Sequence, residues 1–312
     1  MPQDSLIQAE DLSRYYGERC AVDGLSLTIN RGEVLGLLGP NGSGKSTTLR
    51  MLSGNLAPGA GEIRINGVDL LSRPRLAKRD IGYLPDRPPL YPELTVEEYL
   101  AYCARLHGID RKDTGQAVKG AKERCGLGAS GERLIGNLSK GYRQRVGLAQ
   151  AIVHRPAVII LDEPTVGLDP IQLREIRELI RELGQDHGVL LSTHILPEVQ
   201  TVCDRVQIIV DGRSVYDDPL EALHARDGET RYLLRFSNPP QAGALAALAG
   251  VTGVKTLMSG EFSVSVEQED ATAALFEAAL AGGWGLTTLS PERLTLEEIF
   301  MDLVYREQER AA

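Results

Sequence analysis

Only four cysteines occur in the 312 residues, Cys20, Cys103, Cys125 and Cys203, and no two stand in a C-x-x-C pair. That spacing predicts separate reduced thiols and argues against a disulfide framework. No run approaches the ~20 apolar residues that a membrane helix needs, so any membrane channel is expected on another chain. The N-terminus lacks the charged, then apolar, then small-residue order of an export signal, and retention in the cytoplasm is expected. A basic surplus is missing too: the formal net charge is −9. From Glu221 onward, seven Lys and Arg face fourteen Asp and Glu, a balance of −7, so nucleic acid is a poor expected partner for the tail. What remains is long enough for two domains, with 42% hydrophobic residues to build ordinary cores.

Four separated segments then occur in one order: Gly39-Pro40-Asn41-Gly42-Ser43-Gly44-Lys45-Ser46, Leu138-Ser139-Lys140-Gly141-Tyr142, Ile159-Ile160-Leu161-Asp162-Glu163, and Ser192-Thr193-His194. The first fits G-x-x-x-x-G-K-[ST] at every fixed position, with Thr47 next, and follows Glu33 to Leu38, an apolar run with the character of a buried strand. Its glycines let the backbone curl so that several N–H groups converge on a phosphate, and the following helix adds its positive end. Lys45 is placed to bridge β and γ phosphates and Ser46 to offer a hydroxyl to Mg²⁺. An ordinary Gly-rich turn has no need of Lys-Ser at that offset.

Ala157 to Leu161 is an apolar run that ends abruptly in Asp162 and Glu163. Carboxylates at the carboxyl end of a buried parallel strand stand where open α/β sheets bind ligands. Asp162 is the expected Mg²⁺ partner and Glu163 the residue that polarises an attacking water, their side chains parted by strand alternation. His194 follows the apolar Val189 to Leu191 and is expected beside Asp162 as a γ-phosphate sensor.

Together these residues resemble the ATP-binding subunits of ABC transporters. Gly39 to Ser46 is similar to that family's Walker A and Asp162-Glu163 to the end of its Walker B. Leu138 to Tyr142 stands where the family has its L-S-G-G-Q signature, Gly167-Leu168-Asp169 matches the D-loop, and His194 matches the switch histidine. Tyr16 resembles the aromatic residue that stacks on adenine. The likeness runs from about Leu6 to Asp218. It implies that two copies pack head to tail as a homodimer, so that Ser139, Gly141 and the helix start after them meet ATP held by the other copy's Walker A. Asp169 joins the same expected nucleotide site.

Departures from the pattern narrow the resemblance. Lys140 replaces the first paired glycine, Tyr142 replaces Gln, and Asp86 stands where many members place Gln. Asp86 keeps an oxygen for Mg²⁺ but adds negative charge and loses an amide donor. This combination is similar to the branch whose partners are ABC-2 type permeases, including gliding-motility, sodium-export and drug-export systems. The resemblance implies an ATPase on the inner face of the cell membrane that powers export through a separate permease. Soluble family members in translation or DNA repair are the alternative, but they usually carry paired ATPase domains or long coiled-coil or zinc insertions. A purely regulatory ATP binder would have no use for Glu163.

The expected fold class is α/β: a P-loop ABC ATPase domain over residues 1–220, then a small α+β ferredoxin-like accessory domain over 228–312. Ile7 to Leu12, Leu25 to Ile29 and Ile63 to Ile65 with its Asn66-Gly67 turn predict an antiparallel layer beside a mostly parallel core. Thr95 with Glu98 predicts a capping box opening a helical subdomain over about 87–155. The Asp86 to Pro92 loop before it is the expected permease contact. Ser139 is the expected N-cap of a helix from Tyr142 to His154. Leu173, Ile176, Ile180 and Leu183 predict one core-facing helix stripe, and Val206 to Val215 a hairpin about Asp211-Gly212. After Asp227-Gly228 the order β-α-β-β-α-β is expected from Arg231 to Leu289, then a helix from Thr295 to Tyr305 whose Leu296-Glu297-Glu298-Ile299-Phe300 resembles the end of many ABC-2 type ATPases.

Overall fold

A computed structural model of the chain describes residues 5–223, 230–266, 271–292 and 296–311. These form two compact units, Met1–Leu220 with Leu303–Ala312, and Glu221–Asp302. The strands of the first unit are β1 Ser5–Tyr16, β2 Arg19–Asn30, β3 Val34–Leu38, β4 Ala60–Ile65, β5 Val68–Asp69, β6 Ile81–Leu84, β7 Val158–Asp162, β8 Gly188–Thr193, β9 Arg205–Val210 and β10 Arg213–Pro219. Its helices are α1 Lys45–Leu52, α2 Pro74–Ala77, α3 Val96–Leu106, α4 Arg111–Arg124, α5 Lys140–Ile152, α6 Pro170–Asp186 and α7 Leu196–Val202, and α8 Leu220–Leu223 begins at its last residue before the boundary.

Five parallel strands and one antiparallel edge strand make the main sheet, in the order β10-β9-β3-β8-β7-β6. Every residue of β3, β7 and β8 is buried, as parallel strands covered on both faces require. Because β3, β6, β7 and β8 run the same way, Gly39, Pro85-Asp86, Glu163 and His194 all emerge at one edge of the sheet. The second, antiparallel sheet has the order β2-β1-β4-β5. Its Ile7, Leu25, Ile29 and Ile63 share one apolar core with Leu35, Leu37 and Ile160 of the main sheet.

Strands β1 and β2 run well past the segments expected from alternation. Asp11 and Gly24 both take left-handed backbone, and the register shifts between Ala9 and Leu12, so the period-2 pattern is interrupted while pairing continues to Tyr16 opposite Arg19. Asn66-Gly67 turns from β4 into β5, and Asp211-Gly212 turns from β9 into β10, both residues of each turn at positive φ. Thr95 accepts from the Glu98 N–H while the Glu98 carboxylate accepts from the Thr95 N–H, the capping box that starts α3. Helix α5 begins at Lys140, two residues earlier than Tyr142, because Ser139 caps it directly, and it ends at Ile152 rather than His154. Ile176, Ile180 and Leu183 are fully buried on α6, and Leu173 is half-buried.

The second unit carries β11 Thr230–Phe236, α9 Ala242–Ala246, β12 Val251–Met258, β13 Glu261–Val266, α10 Ala271–Ala281 and β14 Leu286–Glu292. All neighbours are antiparallel in the order β12-β13-β11-β14, the β-α-β-β-α-β arrangement with its first and third strands central. Tyr232, Leu234, Phe236, Phe262, Val264 and Val266 alternate inward to meet Leu245, Leu275 and Ala279 from the two helices. The last helix, α11 Leu296–Ala311, runs six residues beyond Tyr305. The Asp227-Gly228 junction and Thr295 lie outside the described residues. Among the described residues no helix is long and apolar enough to cross a membrane.

Candidate active site

The loop between β3 and α1 is shaped by positions that only glycine tolerates. A Cβ on Gly39 would stand 2.3 Å from the Ile209 carbonyl oxygen, and one on Gly44 would stand 2.4 Å from that of Ala21. Gly44, at φ 108°, is also the residue from which α1 starts, so the helix's free N–H groups open into the loop. Lys45 is buried and donates from Nζ to the carbonyls of Gly39 at 2.7 Å and Pro40 at 3.0 Å, which lays its ammonium across the loop. Burial lowers the Lys45 pKa, while the carboxylates of Glu163 and Asp162 act in the opposite sense.

Beside this loop lies a cleft of about 510 Å³ lined by Asn41, Gly42, Gly44, Lys45, Ser46 and Thr47 of the loop, by Tyr16, Arg19 and Ala21 of the antiparallel layer, and by Asp86, Asp162, Glu163, Val166 and His194 from the other strand ends. Gly39, Pro40 and Ser43 do not line this cleft, and Ser43 is buried. Tyr16 is half exposed, with the Arg14 guanidinium 5.5 Å from its ring centre. Arg19 was not foreseen: it lies twenty residues before the loop, and nothing in its local sequence marks it.

Asp162 ends β7 opposite Ser192 of β8. Burial raises its pKa and the Glu163 and Asp86 carboxylates push it the same way, against the Ser192 and Ser46 hydroxyls, which favour its charged form. Glu163, next in the chain, adopts left-handed backbone at φ 49°, and its N–H donates to the Ser192 carbonyl at 3.0 Å. This turns its side chain away from that of Asp162 and toward His194, whose Nδ1 is 2.8 Å from Glu163 Oε1. Asp162 Oδ1 and Glu163 Oε2, from two residues that line the cleft, are buried with no protein hydrogen-bond partner, which fits a site whose polar partners come with a ligand.

A magnesium ion fits this donor set. Ser46 supplies a hydroxyl, and Asp162 and Asp86 supply carboxylate oxygens, the hard ligands that Mg²⁺ takes. Among the described residues no cluster of three or more His, Cys, Asp or Glu forms a metal cage.

Ser139, Gly141 and Asp169 do not line this cleft. Ser139 is exposed at the N-terminus of α5, its hydroxyl accepting from the Tyr142 N–H at 3.4 Å. Asp169 caps α6 through the N–H groups of Ile171 and Gln172. The two loops pack on each other within the chain: a Cβ on Gly141 would strike the Gln172 side chain, and one on Gly167 would lie 2.1 Å from Lys140 Nζ. The long cation that replaces a signature glycine thus lies over Gly167.

Comparison with known proteins places this geometry in a family. The ABC transporter family matches residues 22–166, and the family described as ATP-binding protein DrrA1-3-like, C-terminal domain, matches residues 219–304. The linearmycin resistance ATP-binding protein LnrL of Bacillus subtilis is 32% identical over 96% of this chain and 99% of its own length. The daunorubicin resistance ATP-binding protein DrrA3 of Streptomyces coeruleorubidus is 32% identical over 96% of each chain. In structure, the chain is similar to the dimeric bacterial ABC transporter cassette MJ0796, with a TM-score of 0.63 and 25% identity over 69% of this chain and 98% of that one.

Proposed function

This chain belongs to the ATP-binding subunits of ABC transporters, an ATP-hydrolysing class, and from that premise we propose that it powers export through an ABC-2 type permease on a separate chain. The observation that carries the proposal is the division of the motifs. Lys45, Ser46, Asp162, Glu163 and His194 meet on one cleft, whereas Ser139 stands exposed at a helix start elsewhere on the same unit, with Gly141 buried in the first turn behind it. A complete ATP site then needs a second copy, packed head to tail, and the dimeric cassette relative supports that arrangement. The resistance proteins among its relatives support export of a cytotoxic small molecule.

Within the site, the N–H groups of Gly42 to Ser46 and the Lys45 ammonium bind the phosphates, and Tyr16 stacks on the adenine. Bound Mg²⁺, held by Ser46, Asp162 and Asp86, would supply charge neutralisation at the β and γ phosphates. Glu163 accepts the proton of the attacking water, and His194, donating from Nδ1 to Glu163 Oε1, fixes the direction of that carboxylate. Asp169 holds the start of α6 at the dimer face. The C-terminal unit is an accessory domain, and the assembly works at the cytoplasmic face of the membrane.

Glu163→Gln tests this reading. It keeps the side-chain shape but removes the base, so hydrolysis falls by about 10²–10⁴-fold while ATP binding persists. Light scattering with ATP then finds a dimer; a monomer refutes the shared site. Captured with ATP from detergent-solubilised native membranes, the variant brings down a polytopic permease, and recovery of ribosomes or nucleic acid instead refutes the transporter role.

A further inference from the structure

Behind the Glu163–His194 pair lies a buried polar group that no motif includes. Glu198, in the first turn of α7, is 1% exposed and surrounded by three elements. Thr165 Oγ1, two residues after Glu163, donates to Glu198 Oε1. Thr193 Oγ1, the residue before His194, donates to Glu198 Oε2 at 2.9 Å and itself accepts from the Ile195 N–H at 3.0 Å. Thr165 and Thr193 are buried as well, at 2% and 0% exposed. Arg177 of α6 brings Nη2 to 3.9 Å from Glu198 Oε1.

We infer that Glu198 is a positioning residue for ATP hydrolysis, its two carboxylate oxygens clamping the turn after Glu163 to the strand end before His194. The inference rests on the reading of Glu163 and His194 as the hydrolytic pair. Burying a carboxylate is costly where an apolar side chain would pack as well, and the two threonine bonds offset that cost only in one relative placement of β7 and β8. The clamped threonines stand two residues after Glu163 and next before His194, whose side chains meet at 2.8 Å. A shift of about 1 Å at a reacting group is enough to cost roughly a hundredfold in rate. Neither threonine nor Glu198 lines the cleft, so the clamp acts on turnover and leaves nucleotide binding alone.

The test is steady-state ATP hydrolysis by the full chain, alongside affinity for a fluorescent ATP analogue. Glu198→Ala and Thr193→Val are expected to lower kcat at least about tenfold with nucleotide affinity within about twofold. Glu198→Gln, which keeps shape and one acceptor oxygen, recovers most of the rate. Because the clamp works through His194, adding Glu198→Ala to His194→Ala lowers kcat by less than about twofold more. Should Glu198→Ala fail to fold, Thr165→Val and Thr193→Val decide, since each removes one hydroxyl and keeps the volume. Parent turnover in both valine variants overturns the inference, as does a Glu198 effect that adds in full to that of His194→Ala. If Glu163→Gln and His194→Ala themselves keep parent turnover, the hydrolytic pair is wrong and the clamp falls with it. Loss in those two with parent turnover in the valine variants leaves the pair standing and removes only the clamp.

Discussion

Replacing Gly44 by alanine separates the two physical demands on the phosphate loop. Gly44 sits at φ 108° and ψ −4°, beyond the left-handed well that other residues visit, and holding alanine there costs about 1–3 kcal/mol. Its new Cβ would stand 2.4 Å from the Ala21 carbonyl oxygen, so either the loop or β2 must retreat by roughly 1 Å, an overpacking cost of about 1–3 kcal/mol. Gly42 makes the control. At φ 84° it carries a backbone penalty too, but its nearest neighbour would be Arg19 Nη2 at 3.5 Å, an ordinary contact, so Gly42→Ala costs only about 1–2 kcal/mol. Urea unfolding resolves the pair when followed by circular dichroism, since the single tryptophan, Trp284, reports the other unit. The retreat of the loop also tilts N–H groups off the phosphate. Loss of one such charge-assisted hydrogen bond, about 1.5–3 kcal/mol, weakens ATP binding roughly tenfold or more. A Gly44→Ala protein within about 0.5 kcal/mol of the parent and with its ATP affinity would refute the reasoning.

Three further outcomes follow from particular contacts. Tyr16→Ala is expected to weaken ATP binding by about 1 kcal/mol through lost adenine stacking; titration with a fluorescent ATP analogue checks it, and equal affinity moves the aromatic contact elsewhere. Thr95→Ala removes one half of the capping box of α3 and should cost about 1 kcal/mol of stability, read from the urea midpoint, with ATP hydrolysis by the isolated subunit unchanged. His154, stacked at 3.6 Å on His107, is pushed down to about 4, first by burial and then by His107. A folded-state value below the ordinary 6.5 means that the unfolded chain takes the proton first, so stability is full above about pH 6.5 and falls toward pH 4, by about 3 kcal/mol in all. Urea unfolding at several pH values measures the slope; His154→Phe, which cannot take up a proton, should lessen it, with His107 and His187, also lowered by burial, supplying the remainder, and an unchanged slope would remove His154 as a source.

Much of this molecule is legible along the chain because its signals are local. The Thr95–Glu98 box, the Asn66-Gly67 and Asp211-Gly212 turns and the Gly-rich loop each depend on residues within a few positions of one another. The second unit's strands and helices follow from alternation and apolar composition. Signals broken by backbone irregularity read poorly: β1 and β2 continue through bulges at Asp11 and Gly24 that interrupt the alternation, so their far halves, including the position of Tyr16 at a strand end, escape a periodicity argument.

The sequence by itself determined that a phosphate loop, an Asp-Glu strand end and a strand-end histidine occur in one order, and that a second small α+β unit follows. Tertiary structure alone decided which of them share a cleft. Parallel strands bring Lys45 and His194, more than a hundred positions apart, to one sheet edge, and the antiparallel layer adds Arg19 to the same cleft, while Ser139 and Gly141 stand outside. The same holds for Glu198: a carboxylate on a short helix has no local mark of importance, and its meaning comes from two hydroxyls delivered by neighbouring strand ends. Hydrogen bonds of that kind join groups distant in the chain, and no spacing rule records them.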